Sequence, residues 1–141
     1  MESVYSDLAF SALAARAAAY SPYSGVTVGA ALLTKSGKVY LGANIENASY
    51  SLTICAERVA ISKAVSDGER EFTAIAIAGA PRGEDVTSPF PPCGACRQVL
   101  SEFGAPDMAV IVVDGEGYRT YTLGQLLPLQ FNGGYLAKDK D

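Results

Sequence analysis

The sequence predicts an α/β fold, a three-layer α/β/α sandwich whose middle layer is a mixed, largely parallel five-stranded sheet. Apolar or β-branched runs of strand length alternate with runs of helical length after an initial hairpin. The run 109–113 is unbroken apolar, which is typical of a strand buried on both faces of a sheet. The 141 residues form one predicted domain, 1–141, without an internal repeat or a low-complexity tract.

The first half of the chain predicts a helix, a hairpin and a second helix. Alanine-rich residues give the first helix, and the segment Tyr20–Gly25, which contains a proline, breaks it. Two β-branched runs are joined by Lys35–Lys38, a segment of turn-forming residues. Gly68 is expected to end the second helix. The expected elements are a helix over about 1–19, strands at 26–34 and 39–42, and a helix from 56 to about 67.

The second half alternates strands and helices more regularly. Four prolines fall between 81 and 92, so this segment is expected to be a loop that leads into the next helix. The turn residues Asp114–Gly117 separate the last two strands. The expected elements are a strand at 73–80, a helix over 93–103, strands at 109–113 and 118–121, and a short helix at 123–127.

All three cysteines lie in two short motifs, Cys55-Ala56-Glu57-Arg58 and Pro92-Cys93-Gly94-Ala95-Cys96. If a helix begins at Cys93, both sulfurs of the second motif fall on one face of its first turn. Cys55 also precedes an expected helix, and a helix N-terminus favours the thiolate form of cysteine. Cys-x-x-Cys is a metal-ligand spacing, so the sequence predicts a metal site built from three sulfurs.

The missing residues indicate which kind of metal site this is. The chain has no histidine and no fourth cysteine, so a closed zinc site of cysteine and histidine ligands cannot form. Three ligands leave the fourth position to water, as in a catalytic zinc, which lowers the pKa of that water toward ~7. Glu57 lies two residues from Cys55 and is the expected proton shuttle. The combination matches the signature of zinc deaminases in its all-cysteine form.

Other readings of the cysteines are weaker but remain open at this point. Cysteines are often buried as small apolar side chains, although these are too regularly spaced for that reading. A disulfide would strand one thiol of the three, and a redox Cys-x-x-Cys would leave Cys55 and Glu57 unexplained. A non-catalytic zinc module would need a fourth ligand, either Glu57 or a residue of a partner chain.

Charge and hydropathy limit the partners. The net charge is −4 and no basic cluster is present, which argues against a nucleic-acid partner and favours a small free substrate. No apolar run approaches the ~20 residues that span a bilayer, and no targeting segment is visible. We therefore expect a cytoplasmic protein without a membrane partner.

Four motifs together resemble the small homotetrameric zinc-dependent cytidine deaminases of pyrimidine salvage. The resemblance runs from about residue 20 to 131 and implies a cytidine deaminase-like fold with one Zn²⁺ per subunit. It also implies a homotetramer with active sites near subunit interfaces and with segment 128–141 at an interface. The implied reaction is hydrolysis of cytidine and deoxycytidine to uridine and deoxyuridine plus ammonia. The motifs are Asn44-Ile45-Glu46-Asn47, Cys55-Ala56-Glu57-Arg58, Pro92-Cys93-Gly94-Ala95-Cys96-Arg97-Gln98 and Leu126-Leu127-Pro128.

The resemblance also assigns roles to individual residues. Asn44 and Glu46 would hold the sugar hydroxyls, and the backbone N–H of Ala56 would bind the ring carbonyl. The carbonyl of Pro92 or Pro91 would accept from the exocyclic amine. The remaining assignments are Cys55, Cys93 and Cys96 as zinc ligands, Glu57 as the catalytic residue, Arg58 as a hydrogen-bond donor to the thiolates, and Tyr50 and Phe131 as aromatics lining neighbouring active sites. Arg97 is expected to be a solvated helix residue.

One position departs from the family. Its members usually carry an aromatic residue that stacks on the pyrimidine, in a segment like Pro-Tyr-Ser-x-Phe, whereas this chain has Val26 there. Valine has no π-face, so a relaxed or altered nucleoside specificity is expected. The alternative activity is deamination of a modified or antibiotic cytosine nucleoside of the blasticidin type. The proline-rich loop 81–92 is expected to reshape the entrance of the site.

Overall fold

The structure, a computed structural model, describes residues 2–136 and is built around one five-stranded sheet. The spatial order of the strands is β2-β1-β3-β4-β5. The strands are β1 (Val26–Thr34), β2 (Val39–Ala43), β3 (Phe72–Pro81), β4 (Gly104–Asp114) and β5 (Gly117–Thr122). The helices are α1 (Glu2–Ala15), α2 (Ala56–Ser66), α3 (Gly94–Phe103) and α4 (Leu123–Leu126), and short 3₁₀ turns lie at Arg16–Ala18, Tyr50–Leu52 and Gly133–Tyr135.

The mixed five-stranded sheet is confirmed, but its parallel part is smaller than predicted. Only β3 and β4 pair in parallel, and the other three neighbouring pairs are antiparallel. Two hairpins account for two of these pairs, since a tight turn joins β1 to β2 and another joins β4 to β5. The third is β1 beside β3. The crossover through α3 is the connection that makes β3 and β4 parallel.

Helices cover both faces of the sheet, which confirms the three layers. On one face, α1 buries Leu8 and Ala12 against a cluster that includes Ile111. On the other face, α2 and α3 bury a larger cluster that includes Ile61 and Leu100. Alternate residues of β3 and β4 enter the two clusters, so both strands are buried on both sides as the apolar run 109–113 predicted.

Close contact with the sheet fixes the position of α2. A Cβ on Gly42 of β2 would lie 2.2 Å from the carbonyl oxygen of Ala56, the first residue of α2. Only glycine allows the helix to approach the strand this closely. At the other end of α2, Asp67 is the C-cap and Gly68 has a φ of 96°, as the sequence predicted. The contact fixes the N-terminus of α2, where Cys55 is the N-cap.

Helix length gives no sign of a bilayer-crossing segment. Among residues 2–136, no helix combines the length and the apolar character needed to cross a membrane.

Candidate active site

Two helix N-termini bring the three cysteines together. Cys55 is the N-cap of α2 and Cys93 is the N-cap of α3, and neither side chain caps its own helix. Cys96 lies in the first turn of α3 and is fully buried. The three sulfurs all lie within 4.8 Å of one another, and those of Cys93 and Cys96 are 3.5 Å apart. The predicted convergence of the three thiols is therefore present in the fold.

The surroundings of Cys55 favour its thiolate. The neighbouring Cys96 thiol stabilises the Cys55 thiolate, and the Arg58 guanidinium donates to the Cys55 sulfur at 3.6 Å. Together these donors lower the pKa of Cys55 to about 5, against the opposing effect of burial. Interaction with the Cys55 thiolate, together with burial, raises the pKa of Cys96. The lowered pKa favours the thiolate form of Cys55, which is the form that binds a metal, and Arg58 donates to the same sulfur.

The cluster fits a zinc ion. Sulfurs around a tetrahedral zinc are separated by ~3.8 Å, as follows from a Zn–S bond of ~2.3 Å. The separation of the Cys93 and Cys96 sulfurs, 3.5 Å, is close to that value, and none of the three separations exceeds 4.8 Å. Thiolates are soft ligands that suit zinc. Within residues 2–136, this group of candidate metal ligands contains three sulfurs and no carboxylate or imidazole, so a bound ion would keep one position for a non-protein ligand.

Glu57 lies next to the cluster in the first turn of α2. The residue is 4% exposed, and burial is the main cause that raises its pKa to about 7. The nearby Cys55 thiolate contributes to this rise, which hydrogen bonding to the backbone opposes in part. A carboxyl group with a pKa near neutrality exchanges protons in both directions at physiological pH, which is what a general acid–base requires.

A cavity of about 300 Å³ opens beside Glu57 and two of the cysteines. Its size is that of a small-molecule site. The predicted residues Val26, Asn44, Glu46, Tyr50 and Ala56 all line it. The full lining is Ser24, Val26, Val28, Asn44, Glu46, Tyr50, Thr53, Cys55, Ala56, Glu57, Phe90, Pro91 and Cys93.

Asn44 and Glu46 both have contacts within the chain that hold the cavity in shape. The Asn44 side chain accepts from the N–H of Val28 and donates to the carbonyl of Val26. Glu46 accepts hydrogen bonds from the backbone N–H and the hydroxyl of Ser24. These bonds lower the pKa of Glu46, the hydroxyl of Ser24 having the largest effect. One amide N–H of Asn44 and further lone pairs of Glu46 are left for a ligand.

The structure separates the two predicted aromatics. Tyr50 lines the cavity of its own chain, although it was expected to line a neighbouring one. Phe131 lies outside this cavity, with its ring stacked on Tyr135 at 5.7 Å. Its contribution to a neighbouring subunit stays a prediction.

Arg97 is not the solvated residue that was expected. Its Nε donates to the carbonyl of Pro92 at 2.8 Å, and its Nη1 donates to the carbonyl of Leu126 at 2.8 Å. The first bond occupies the Pro92 carbonyl, whose residue does not line the cavity. Pro91 does line the cavity, so it is the better placed of the two predicted acceptors.

Sequence reasoning missed Phe90, whose ring is part of the cavity wall. Thr53, Ser24 and Val28 were missed as well. The signal for Phe90 was its position, three residues before Cys93, in a loop already expected to shape the entrance.

The direction of the chemistry follows from this geometry. Three thiolates can hold a zinc ion, a buried carboxyl of near-neutral pKa lies beside them, and both border one small cavity. Fold and site together define a zinc-dependent deaminase of a small substrate.

Comparison with known proteins supports a zinc-dependent deaminase. The family model described as "Cytidine and deoxycytidylate deaminase zinc-binding region" matches residues 4–112, and the chain belongs to this family. The cytidine deaminase of Halalkalibacterium halodurans is 49% identical over 129 residues, which cover 91% of each chain. The crystal structure of the Burkholderia pseudomallei cytidine deaminase matches with a TM-score of 0.80 and 46% identity, covering 89% of this chain and 97% of that one. The Blasticidin-S deaminase of Bacillus cereus is 36% identical over 108 residues, 74% of this chain and 76% of that protein.

Proposed function

We propose that this protein hydrolyses cytidine and deoxycytidine to uridine and deoxyuridine with release of ammonia. The observation that carries the proposal is the position of Glu57, buried in the wall of the cavity that Cys55 and Cys93 also line. The cytidine deaminases that share nearly half of their residues with this chain support cytidine as the substrate.

Cys55, Cys93 and Cys96 are the residues that would hold the zinc. When bound, zinc supplies a Lewis acid that lowers the pKa of water toward ~7. The two helix N-termini offset part of the negative charge of three thiolates. Arg58 adds a guanidinium at 3.6 Å from the Cys55 sulfur.

Glu57 moves the protons of the reaction. It accepts a proton from the attacking water and delivers it to N3 of the pyrimidine, while the water oxygen forms a bond to C4. It then takes the remaining hydroxyl proton and passes it to the exocyclic amine. The C4–N bond breaks and ammonia leaves, so water and cytidine give uridine and ammonia in balance. Burial suits Glu57 to both transfers because it keeps the carboxyl from being permanently ionised at pH 7.

Backbone and polar groups of the cavity orient the substrate. The N–H of Ala56, at the start of α2, is proposed to donate to the ring carbonyl, and the Pro91 carbonyl to accept from the exocyclic amine. Asn44 and Glu46 are proposed to bind the sugar hydroxyls with the hydrogen-bonding capacity that their contacts within the chain leave free.

The assembly and location belong to the proposal as well. We infer a homotetramer in which Phe131 reaches a neighbouring active site and segment 128–141, of which residues 137–141 lie outside the described structure, borders an interface. Phe131 is 55% exposed, which supports an intermolecular contact. We infer the cytoplasm as the location because its reducing conditions keep the three thiols available to a metal. Light scattering of the purified protein measures the subunit number.

A substrate panel tests the proposed activity. Ammonia release is measured with cytidine, deoxycytidine, cytosine and blasticidin S as substrates. We expect turnover of both nucleosides and none of the free base, because cytosine offers no sugar to Asn44 and Glu46. The Blasticidin-S deaminase relative and Val26 favour the antibiotic as the second candidate. If the protein releases ammonia from blasticidin S but from neither nucleoside, the proposed substrate is wrong and the antibiotic takes its place.

A further inference from the structure

The Phe90 ring packs against the sheet at a position where only glycine leaves room for it. It lies in the loop between β3 and α3, three residues before Cys93. A Cβ on Gly79 of β3 would lie 2.6 to 2.9 Å from three carbons of the Phe90 ring. Real Cβ atoms do not approach other atoms this closely, so the ring rests directly on the backbone of Gly79.

The Gly79 position is beside Val26. In the β1–β3 ladder, Gly79 pairs with Val28, and Pro81 pairs with Val26. Residues two apart on a strand share a face, so the ring lies on the face of the sheet to which Val26 and Val28 belong. All three side chains line the cavity that contains Glu57. The Phe90 ring therefore lies on the same side of the sheet as position 26, where the family usually has its aromatic residue.

The exposure of the ring fits a wall of the cavity. Phe90 is 37% exposed, so its side chain remains partly uncovered beside Gly79. The other aromatic of the cavity within residues 2–136, Tyr50, is 59% exposed and belongs to a 3₁₀ turn. Phe90 is followed directly by Pro91, the proposed acceptor for the exocyclic amine, and so lies at the reacting end of the cavity.

We propose that Phe90, packed on Gly79, is the aromatic residue that contacts the pyrimidine ring in this protein. The ligand rests on the proposed function, since it is the base of a cytosine nucleoside. Stacking of a base on an aromatic side chain contributes a factor of roughly 5 to 150 in affinity. Phe90 and Gly79 thus compensate for the valine at position 26, and the nucleoside base keeps an aromatic partner.

The test measures binding separately from turnover. Zinc-loaded Glu57→Gln protein, which cannot complete the reaction, is titrated with cytidine in a calorimeter, alone and combined with Phe90→Ala or Phe90→Leu. We expect both combinations to bind cytidine about 10-fold more weakly, because leucine keeps the apolar volume without the π-face. Phe10→Ala is the matched control, since Phe10 lies 74% exposed on α1 and does not line the cavity.

Ammonia release by the wild-type protein is measured in parallel. If cytidine is turned over and Phe90→Ala changes its affinity by less than twofold, the aromatic role of Phe90 is wrong while the proposed function stands. Equal affinity for cytidine with and without Phe90→Leu in the Glu57→Gln protein would also overturn that role. If affinity depends on Phe90 but the wild-type protein releases no ammonia from cytidine, the proposed function is wrong and the aromatic contact stands.

Discussion

Replacing Glu57 with glutamine removes the proposed proton shuttle and keeps the shape of the side chain. Each transfer by a positioned acid or base contributes about 10² to 10⁴ in rate. Glu57 is 4% exposed, so bulk water is poorly placed to replace it. The other acid of the cavity, Glu46, is held by Ser24 with a lowered pKa and is not poised to exchange protons at pH 7. We therefore expect kcat to fall about 10⁴-fold, which equals about 5.5 kcal/mol of barrier.

The assay combines ammonia release from cytidine with zinc analysis of the same preparation. Zinc content is expected to stay at one ion per chain, because the three sulfurs are unchanged. Glu102→Gln is the matched control, since Glu102 is an exposed residue of α3, and it should retain wild-type kcat. A Glu57→Gln protein that binds zinc and keeps more than ~1% of kcat would refute the assigned role.

Three further predictions concern the zinc ligand Cys96, the contact between Ser24 and Glu46, and the cavity wall. Cys96→Ala should lose bound zinc and activity together, as elemental analysis and ammonia release would show, and zinc retained at full stoichiometry would contradict its role as a ligand. Ser24→Ala should raise the pKa of Glu46 in an NMR titration, because the hydroxyl is the main group that lowers it. A carboxyl whose pKa is lowered in the folded state stabilises the fold at pH values above its unfolded pKa. We therefore expect Ser24→Ala to be less stable than wild type at pH 7, and this difference to disappear as the pH falls through the folded pKa of Glu46. A difference that persists in acid would contradict the linkage between the two. Val26→Phe should leave the kcat/KM for cytidine unimproved in the wild-type background and raise it in the Phe90→Ala background, whereas improvement in both would mean that Phe90 does not act as the aromatic partner.

Local patterns predicted the metal-binding half of the site. Cys55 and Cys93 are helix N-caps, and cap positions are set by a few neighbouring residues that sequence periodicity reveals. Gly68 ended α2 for the same kind of reason. Glu57 followed from its spacing to Cys55. These features depend on contacts within one or two helical turns, so the sequence alone sufficed.

Long-range contacts set the features that were missed. The parallel content of the sheet depends on how β1 lies against β3, which no local pattern states. Phe90 joins the cavity because its loop folds back onto Gly79, eleven positions earlier in the chain. Arg97 donates to the carbonyl of Leu126, a partner that only the folded chain brings near.

Zinc coordination in the purified protein tests the central claim most directly. X-ray absorption at the zinc edge gives the number and type of atoms bound to the ion. We expect three sulfurs at ~2.3 Å and one lighter atom at ~2.0 Å in the wild-type protein, with the lighter atom also present in Glu57→Gln. Four protein ligands, a lighter atom lost on replacing Glu57, or fewer than three sulfurs would contradict an open three-thiolate centre.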